Sequence, residues 1–336
     1  MEESKKVLYS AVQPTNNLTI GNYIGAIQNW VELQKHYDCF FSIADMHAIT
    51  VRQIPAELRQ RTLNLVALYI ACGIDPEKCV LYIQSNVPAH AELCWALNTF
   101  TYVGEMQRMT QFKDKSARHA DNINMGLMDY PVLMASDILL YQTEVVPVGL
   151  DQRQHLEIAR DIAIRFNNAY TPTFKVPEGI YLKVGAKICD LQEPAKKMSK
   201  SAENPNGSVF LCDDKDTIIR KFKRAVTDSG SEIVYDPENK PGVSNLLSIY
   251  SVFSGKSVEE AQKDFTGKGY GDFKLAVGEV VADKLKPIQD RQAKILADKE
   301  YIGNILKRGA ESASYTANKT LSKVYKKIGF YQLKNN

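Results

Sequence analysis

Four short runs rich in strand-forming residues, Val7 to Val12, Cys39 to Ile43, Val80 to Gln84 and Val145 to Gly149, are separated by stretches with helical spacing. This alternation restricts the fold more than any other feature. Strands joined through helices run parallel, because a parallel pair needs a long crossover, and a parallel sheet is covered by helices on its faces. The first part of the chain is therefore predicted to be α/β. Such sheets bind ligands beyond the carboxyl ends of their strands, where Gln13, Ala44-Asp45-Met46-His47, Ser85 and Gly149-Leu150-Asp151-Gln152 fall. Farther along, the pattern is helical only, with helices predicted over Lys215 to Ala225, Val243 to Phe253, Val258 to Phe265 and Phe273 to Lys294.

The first strand runs into a turn, Gln13-Pro14-Thr15-Asn16-Asn17, and then into a helix predicted from about Thr19 to His36, with Ile20, Ile24, Ile27 and Val31 on one face. Gly21 and Asn22 sit in its first turn. Free N–H groups and the helix dipole favour phosphate there, and a glycine admits a nucleotide closely. Taken alone, the segment reads equally well as a capped helix start with an incidental glycine. Far downstream, the polar run from Gln192 to Gly207 carries prolines and ends on glycine, which is loop composition. Its Lys197-Met198-Ser199-Lys200-Ser201 segment offers two ammonium groups to a polyphosphate, with serines small enough for close backbone approach. A solvated basic loop has the same composition.

Between the two lies a third feature. Pro131 suits the first turn of a helix, and Tyr130, Met134, Asp137 and Tyr141 then fall at i, i+4, i+7 and i+11 on one face. An acid among Val132, Leu133, Ile138, Leu139 and Leu140 is expensive to bury unless a donor reaches it. Asp137 either pairs inside the protein or accepts from a ligand. Indole, with one N–H donor and no acceptor, is a ligand of suitable chemistry for a carboxylate in an aromatic, Met-lined pocket.

Thr19-Ile20-Gly21-Asn22 and Lys197-Met198-Ser199-Lys200-Ser201 together resemble the two signature motifs of class I aminoacyl-tRNA synthetases. The likeness extends to Gln13-Pro14-Thr15, Gly104 to Lys113, Tyr130 to Leu139, Val146 to Gln152, Ala225 to Ser229, Lys240 to Leu247 and Gly267 to Gly271. These blocks are similar to the bacterial-type tryptophanyl-tRNA synthetase family and span nearly the whole chain. Ala11 and Asn17 stand where that family usually has glycines, Met46 where it often has Gln, and Leu150 where it often has an acid.

The resemblance implies a Rossmann-like parallel-sheet nucleotide-binding domain with a smaller all-helical C-terminal domain. The implied division is a catalytic domain over 1–205, a helical anticodon-binding domain over 206–290 and a basic helical segment over 291–336. It implies ATP contacts at Gln13, Pro14, Thr15, Thr19, Gly21, Asn22, Gly149, Leu150, Asp151, Ile188, Lys197, Met198, Ser199, Lys200 and Ser201, with Asp151 on the ribose. Lys115, Lys197 and Lys200 match lysines at the triphosphate, and with Thr19 they form the implied catalytic set. Tyr130, Gln111 and Gln152 match positions that orient the amino acid's ammonium and carboxylate, and Tyr9, His47, Met134 and Asp137 match the indole site, His47 as a pocket wall. The implied reaction is activation of L-tryptophan with Mg-ATP, then transfer to the 3′ end of tRNA(Trp), with a homodimer as the working form and no protein-bound metal.

Composition fits an enzyme of this kind. The 336 residues suggest about two domains, and 44% hydrophobic content supplies a sizeable core. No apolar run approaches the roughly 18 residues of a membrane span, and the start of the chain lacks a signal-peptide core, so a cytoplasmic protein is expected. Six scattered cysteines without C-x-x-C pairs indicate neither a zinc site nor a disulfide framework. Net charge is +3, yet from Lys284 onward there are twelve Lys/Arg against four Asp/Glu. There Leu321, Val324, Tyr325 and Ile328 share a helical face while Lys319, Lys323, Lys326 and Lys327 lie largely elsewhere. A basic face of this kind meets RNA phosphates or simply stays solvated; membrane and DNA partners are not expected. The nearest alternative is a tyrosyl-tRNA synthetase, followed by a nucleotidyltransferase of the same superfamily and a non-catalytic paralogue.

Overall fold

The computed structural model describes residues 5–15, 17–110, 123–149, 152–181, 188–200 and 204–332. Five strands form one sheet: β1 (Val7–Val12), β2 (Asp38–Ile43), β3 (Val80–Ile83), β4 (Val145–Pro147) and β5 (Glu178–Ile180). Their order is β3-β2-β1-β4-β5 and every pair is parallel. The chain crosses over between β1 and β4, the place where parallel sheets hold ligands. β5 has only three residues, with Gly179 at its centre, and carries no strand-like run that a sequence pattern could expose.

Side-chain alternation along the strands divides the core in two. Leu8, Phe41 and Leu81 point to one face, with Trp30 and Tyr69. Their neighbours Tyr9, Phe40 and Tyr82 point to the other, with Tyr141. A period of two puts adjacent residues on opposite faces, and helices cover both.

The first helical segment is not the continuous helix expected over Thr19 to His36. It consists of α1 (Ile20–Asn22), a π-helical stretch Tyr23–Ile27, and α2 (Gln28–Leu33). The wider turn closes through the Gln28 N–H donating to the Tyr23 carbonyl, and such bulges are frequent at functional sites. α3 (Asp45–Ala48) and α4 (Pro55–Cys72) follow β2, while α5 (Ala89–Asn98), α6 (Val103–Arg108), α7 (Met125–Leu139) and α8 (Arg153–Ala169) follow β3 and β4. α7 corrects a second expectation. Asn124 caps it by accepting from the Leu127 N–H, so the helix starts before Tyr130 and Pro131 sits inside it, where proline cannot donate back to the Leu127 carbonyl.

The remainder is helical: α9 (Lys215–Lys223), α10 (Pro241–Ser254), α11 (Val258–Asp264), α12 (Tyr270–Ala297) and α13 (Lys299–Ile328). α13 lies against the outer strand β3 so closely that a Cβ on Gly309 would stand 1.9 Å from the Leu81 carbonyl oxygen. It thereby protects a sheet edge that would otherwise be open to pairing. Leu321 and Val324 are buried, and Lys319, Lys323, Lys326 and Lys327 face solvent, as their spacing predicts. No helix among the described residues is long and apolar enough to cross a membrane. All six cysteines are free thiols, of which Cys39, Cys79 and Cys94 are buried.

Candidate active site

The segment after β1 and the lysine-bearing segment meet although they are far apart in sequence. Thr19 caps α1: the Asn22 N–H donates to Thr19 Oγ1 at 3.3 Å, and the Thr19 N–H donates to Asn22 Oδ1 at 3.0 Å. This reciprocal capping box accounts for both side chains, and Thr19 is fully buried. A Cβ on Gly21 would lie 3.6 Å from Ile188 and 3.7 Å from Met198, so the first motif packs directly against the second.

The lysine segment is held as a short hairpin. Cys189 forms an antiparallel bridge with Lys197, the Met198 N–H donates to the Ile188 carbonyl at 3.0 Å, and the Asp190 N–H to the Lys196 carbonyl at 2.9 Å. Ile188 and Met198 are buried anchors in the core, while Lys197 is exposed. The Ser199 carbonyl accepts from the Ser208 hydroxyl at 2.8 Å. Lys200 turns inward: its Nζ donates to Thr15 Oγ1 at 3.2 Å and approaches the Gln13 carbonyl at 3.5 Å. Burial lowers the Lys200 ammonium to about 8, because a charged group loses its hydration there. Gln13, Pro14 and Thr15 occupy the carboxyl end of β1, where phosphate is expected.

A second group gathers at the same end of the sheet. Asp137, on α7, is 1% exposed. Its Oδ1 accepts from Gln84 Nε2 at 2.7 Å and from His90 Nδ1 at 2.6 Å, and its Oδ2 pairs with His47 Nε2 at 2.8 Å. Burial pushes this carboxyl upward, but the His90 and His47 rings beside it outweigh that and hold it well below the usual carboxylate range. His47 is therefore more than the pocket wall that the sequence suggested, because it is a direct partner of the acid. The hydroxyls of Tyr82 and Tyr141 lie 3.1 and 3.0 Å from His90 Nε2, and burial raises both phenols, which stay protonated.

Tyr9 stacks on Tyr141 with ring centroids 5.8 Å apart, and its hydroxyl shares a 2.7 Å hydrogen bond with Ser42. Tyr130 stands 6.3 Å from the His47 ring, edge to face, and its hydroxyl is 2.7 Å from His155 Nε2. Met134 is half-buried beside this group. Gln152 precedes α8 and donates its backbone N–H to the Gly149 carbonyl at 3.0 Å. Asp45, next to His47, is engaged elsewhere and accepts from the Ser85 backbone and hydroxyl. Gln111, Lys115, Leu150, Asp151 and Ser201 lie outside the described residues.

Parallel strands in this order, a capped glycine turn against a lysine hairpin, and a buried aspartate beside aromatic rings constitute the candidate site. The family model described as tRNA synthetases class I (W and Y) matches residues 1–286. The chain belongs to this family. A curated tryptophan–tRNA ligase of Clostridium tetani is 57% identical over 330 residues, covering 98% of this chain and 97% of its own. The crystal structure of tryptophanyl-tRNA synthetase from Mycoplasma pneumoniae superposes with a TM-score of 0.89 at 36% identity, covering 98% of this chain and 99% of that one. The enzyme from Campylobacter jejuni, crystallised with ADP and tryptophan, superposes with a TM-score of 0.84 at 36% identity over 97% and 100%. This synthetase chain uses two buried partners that sequence reasoning missed, His90 and Gln84. The available signal for His90 was a lone histidine on the otherwise apolar face of α5, a pattern more often structural than functional.

Proposed function

We propose that the chain is a tryptophan–tRNA ligase. The tryptophan carboxylate attacks the α-phosphate of Mg-ATP, pyrophosphate leaves, and the terminal ribose hydroxyl of tRNA(Trp) then takes the acyl group from the adenylate. No protein nucleophile takes part. The observation that carries the reading is Asp137, a buried carboxylate whose three protein partners fill three of its four acceptor positions, so that Oδ2 can accept from one more donor. Indole N–H is that donor, with Tyr9, His47, Tyr130 and Met134 around the ring and Gln152 and Gln111 toward the ammonium and carboxylate.

Gln13, Pro14, Thr15, Gly21 and Asn22 would face the phosphates of ATP, with the buried Thr19 acting by capping that turn, Gly149, Leu150 and Asp151 at the ribose and Ile188 at the adenine. Lys115, Lys197 and Lys200, with Met198, Ser199 and Ser201 shaping the turn, would neutralise the departing pyrophosphate. Catalysis then rests on positioning and on charge stabilisation in the transition state. Magnesium enters as Mg-ATP, on the substrate's own phosphates, in the manner usual for this small, oxygen-preferring ion. The proposal keeps the division into 1–205, 206–290 and 291–336, with the helical part meeting tRNA. It places the protein in the cytoplasm as a homodimer; Trp95, Tyr102 and Val103 are exposed apolar side chains of the kind a partner surface covers.

The test is ATP–pyrophosphate exchange without tRNA, offering tryptophan, tyrosine and phenylalanine in turn. Exchange with tryptophan alone is the expected result. Exchange with tyrosine would overturn the amino-acid assignment, and none with any would remove the activity.

A further inference from the structure

The hairpin that carries Lys197 and Lys200 has a second side. Its inner strand, Ile188 to Gln192, bonds outward to Lys197 and Met198 and inward to the helical part of the chain. On the inward side the Val226 N–H donates to the Leu191 carbonyl at 2.8 Å, and Gln192 Nε2 donates to the Arg224 carbonyl at 2.8 Å. The most specific grip is from Asn245 on α10. Its Oδ1 accepts from the Cys189 N–H at 2.8 Å, and its Nδ2 donates to the Cys189 carbonyl at 3.0 Å, so one amide closes both polar groups of one peptide residue. Asparagine is a poor choice inside a helix, since its side chain competes for backbone hydrogen bonds, and Asn245 is only 6% exposed. The pair of bonds to Cys189 accounts for its presence there.

Cys189 is also the residue that bridges Lys197 and lies next to Ile188, whose carbonyl holds Met198. We propose that Asn245 is a positioning residue for the ATP half of the reaction: by clamping Cys189 it sets where the hairpin stands, and hence how far Lys197 and Lys200 reach toward the triphosphate. This rests on the reading of the site as an ATP-dependent synthetase. Asn245 touches neither ATP nor the reacting atoms. It acts through the lysines, and the tryptophan pocket around Asp137 hangs on other elements, α3, α5 and α7. Its loss therefore separates the two substrates.

The experiment compares Asn245→Ala, Asn245→Asp and wild type by pyrophosphate exchange and by direct tryptophan binding without ATP. In Asn245→Asp the acceptor for the Cys189 N–H survives while the donor to its carbonyl is lost, so this variant covers the case in which alanine does not fold. The expected outcome is a loss in kcat/KM for ATP on the order of tenfold to a hundredfold, the scale of small misplacements of positioning groups, with tryptophan affinity within about twofold of wild type. Asn245→Ala added to Lys200→Ala is expected to cost less than the sum of the two single losses, because both act on one step and only the share carried through Lys197 remains. Parallel losses of tryptophan and ATP binding, full additivity of the two changes, or an unchanged kcat/KM for ATP would each overturn the proposal. Absence of exchange in wild type would instead remove the underlying synthetase reading.

Discussion

Replacing Asp137 with asparagine tests the amino-acid site with the least structural damage. Alanine at this position would strip three buried donors of their acceptor, those of Gln84, His90 and His47. At about 1–3 kcal/mol for each orphaned group, the sum rivals the ~5–15 kcal/mol by which whole domains are stable, so Asp137→Ala is expected to unfold the protein rather than report on binding. Asparagine keeps one oxygen, which takes the place of Oδ1 and continues to accept from Gln84 and His90. Its NH2 then replaces Oδ2. His47 Nε2 can serve as donor or acceptor according to the ring's tautomer, so it can meet this NH2 with a lone pair and the fold survives. The ligand has no such freedom: an indole N–H now meets a donor where it met an anion. Loss of a hydrogen bond to a charged group is worth about 1.5–3 kcal/mol, or roughly a 10- to 150-fold weaker tryptophan affinity. Phenylalanine has no ring N–H to lose, so the ratio of kcat/KM values for tryptophan over phenylalanine shrinks by a similar factor. The assays are calorimetric tryptophan titration and pyrophosphate exchange with both amino acids. A folded variant with unchanged tryptophan affinity and unchanged discrimination would refute the placement of indole at Asp137.

Three further outcomes follow from the same geometry. Lys200→Ala is expected to lower adenylate formation at least about a hundredfold, the scale of lost charge-stabilising donors, while leaving tryptophan affinity intact; equal losses in both would contradict its role at the triphosphate. The Lys200 pKa is lowered by burial from the ordinary value of 10.5 to about 8, so kcat/KM for ATP should fall as pH rises through about 8, whereas Lys200→Arg should keep its pH profile flat in that range. The same shift makes the unfolded chain hold more protons between those two values, so this group's contribution to stability rises with pH there. Gly309→Ala would push a Cβ against the Leu81 carbonyl oxygen, prising α13 from β3; a loss of about 1–3 kcal/mol or more in a denaturant titration is expected, and an unchanged midpoint would deny the close approach.

Much of the architecture was legible because it rests on local periodicity. The four strand segments, the helices after residue 206 and the apolar stripe of α13 each follow from residues near one another in sequence, and the strand alternation alone put Gln13 and His47 beyond the carboxyl ends of β1 and β2. The same locality explains the misses. β5 is too short to show a pattern, and the π-helical stretch Tyr23–Ile27 keeps the isoleucine spacing of an ordinary helix while closing a wider turn. Proline's preference for a first turn points to a helix start at Pro131, yet the cap at Asn124 begins α7 earlier.

The sequence by itself determined the class of fold, and it set apart Thr19-Ile20-Gly21-Asn22 and Lys197-Met198-Ser199-Lys200-Ser201, which the fold brings together. What the tertiary structure alone decided is who answers Asp137. Its partners come from α3, from the end of β3 and from α5, at sequence separations of 90, 53 and 47, and only the strand order brings them together. Lys200 reaching Thr15 and Asn245 reaching Cys189 belong to the same category. Periodicity states which side of an element is buried. Which distant polar group meets which across that buried side is set by how the elements stack, and for a charge removed from water that choice of partner determines both its protonation and its chemistry.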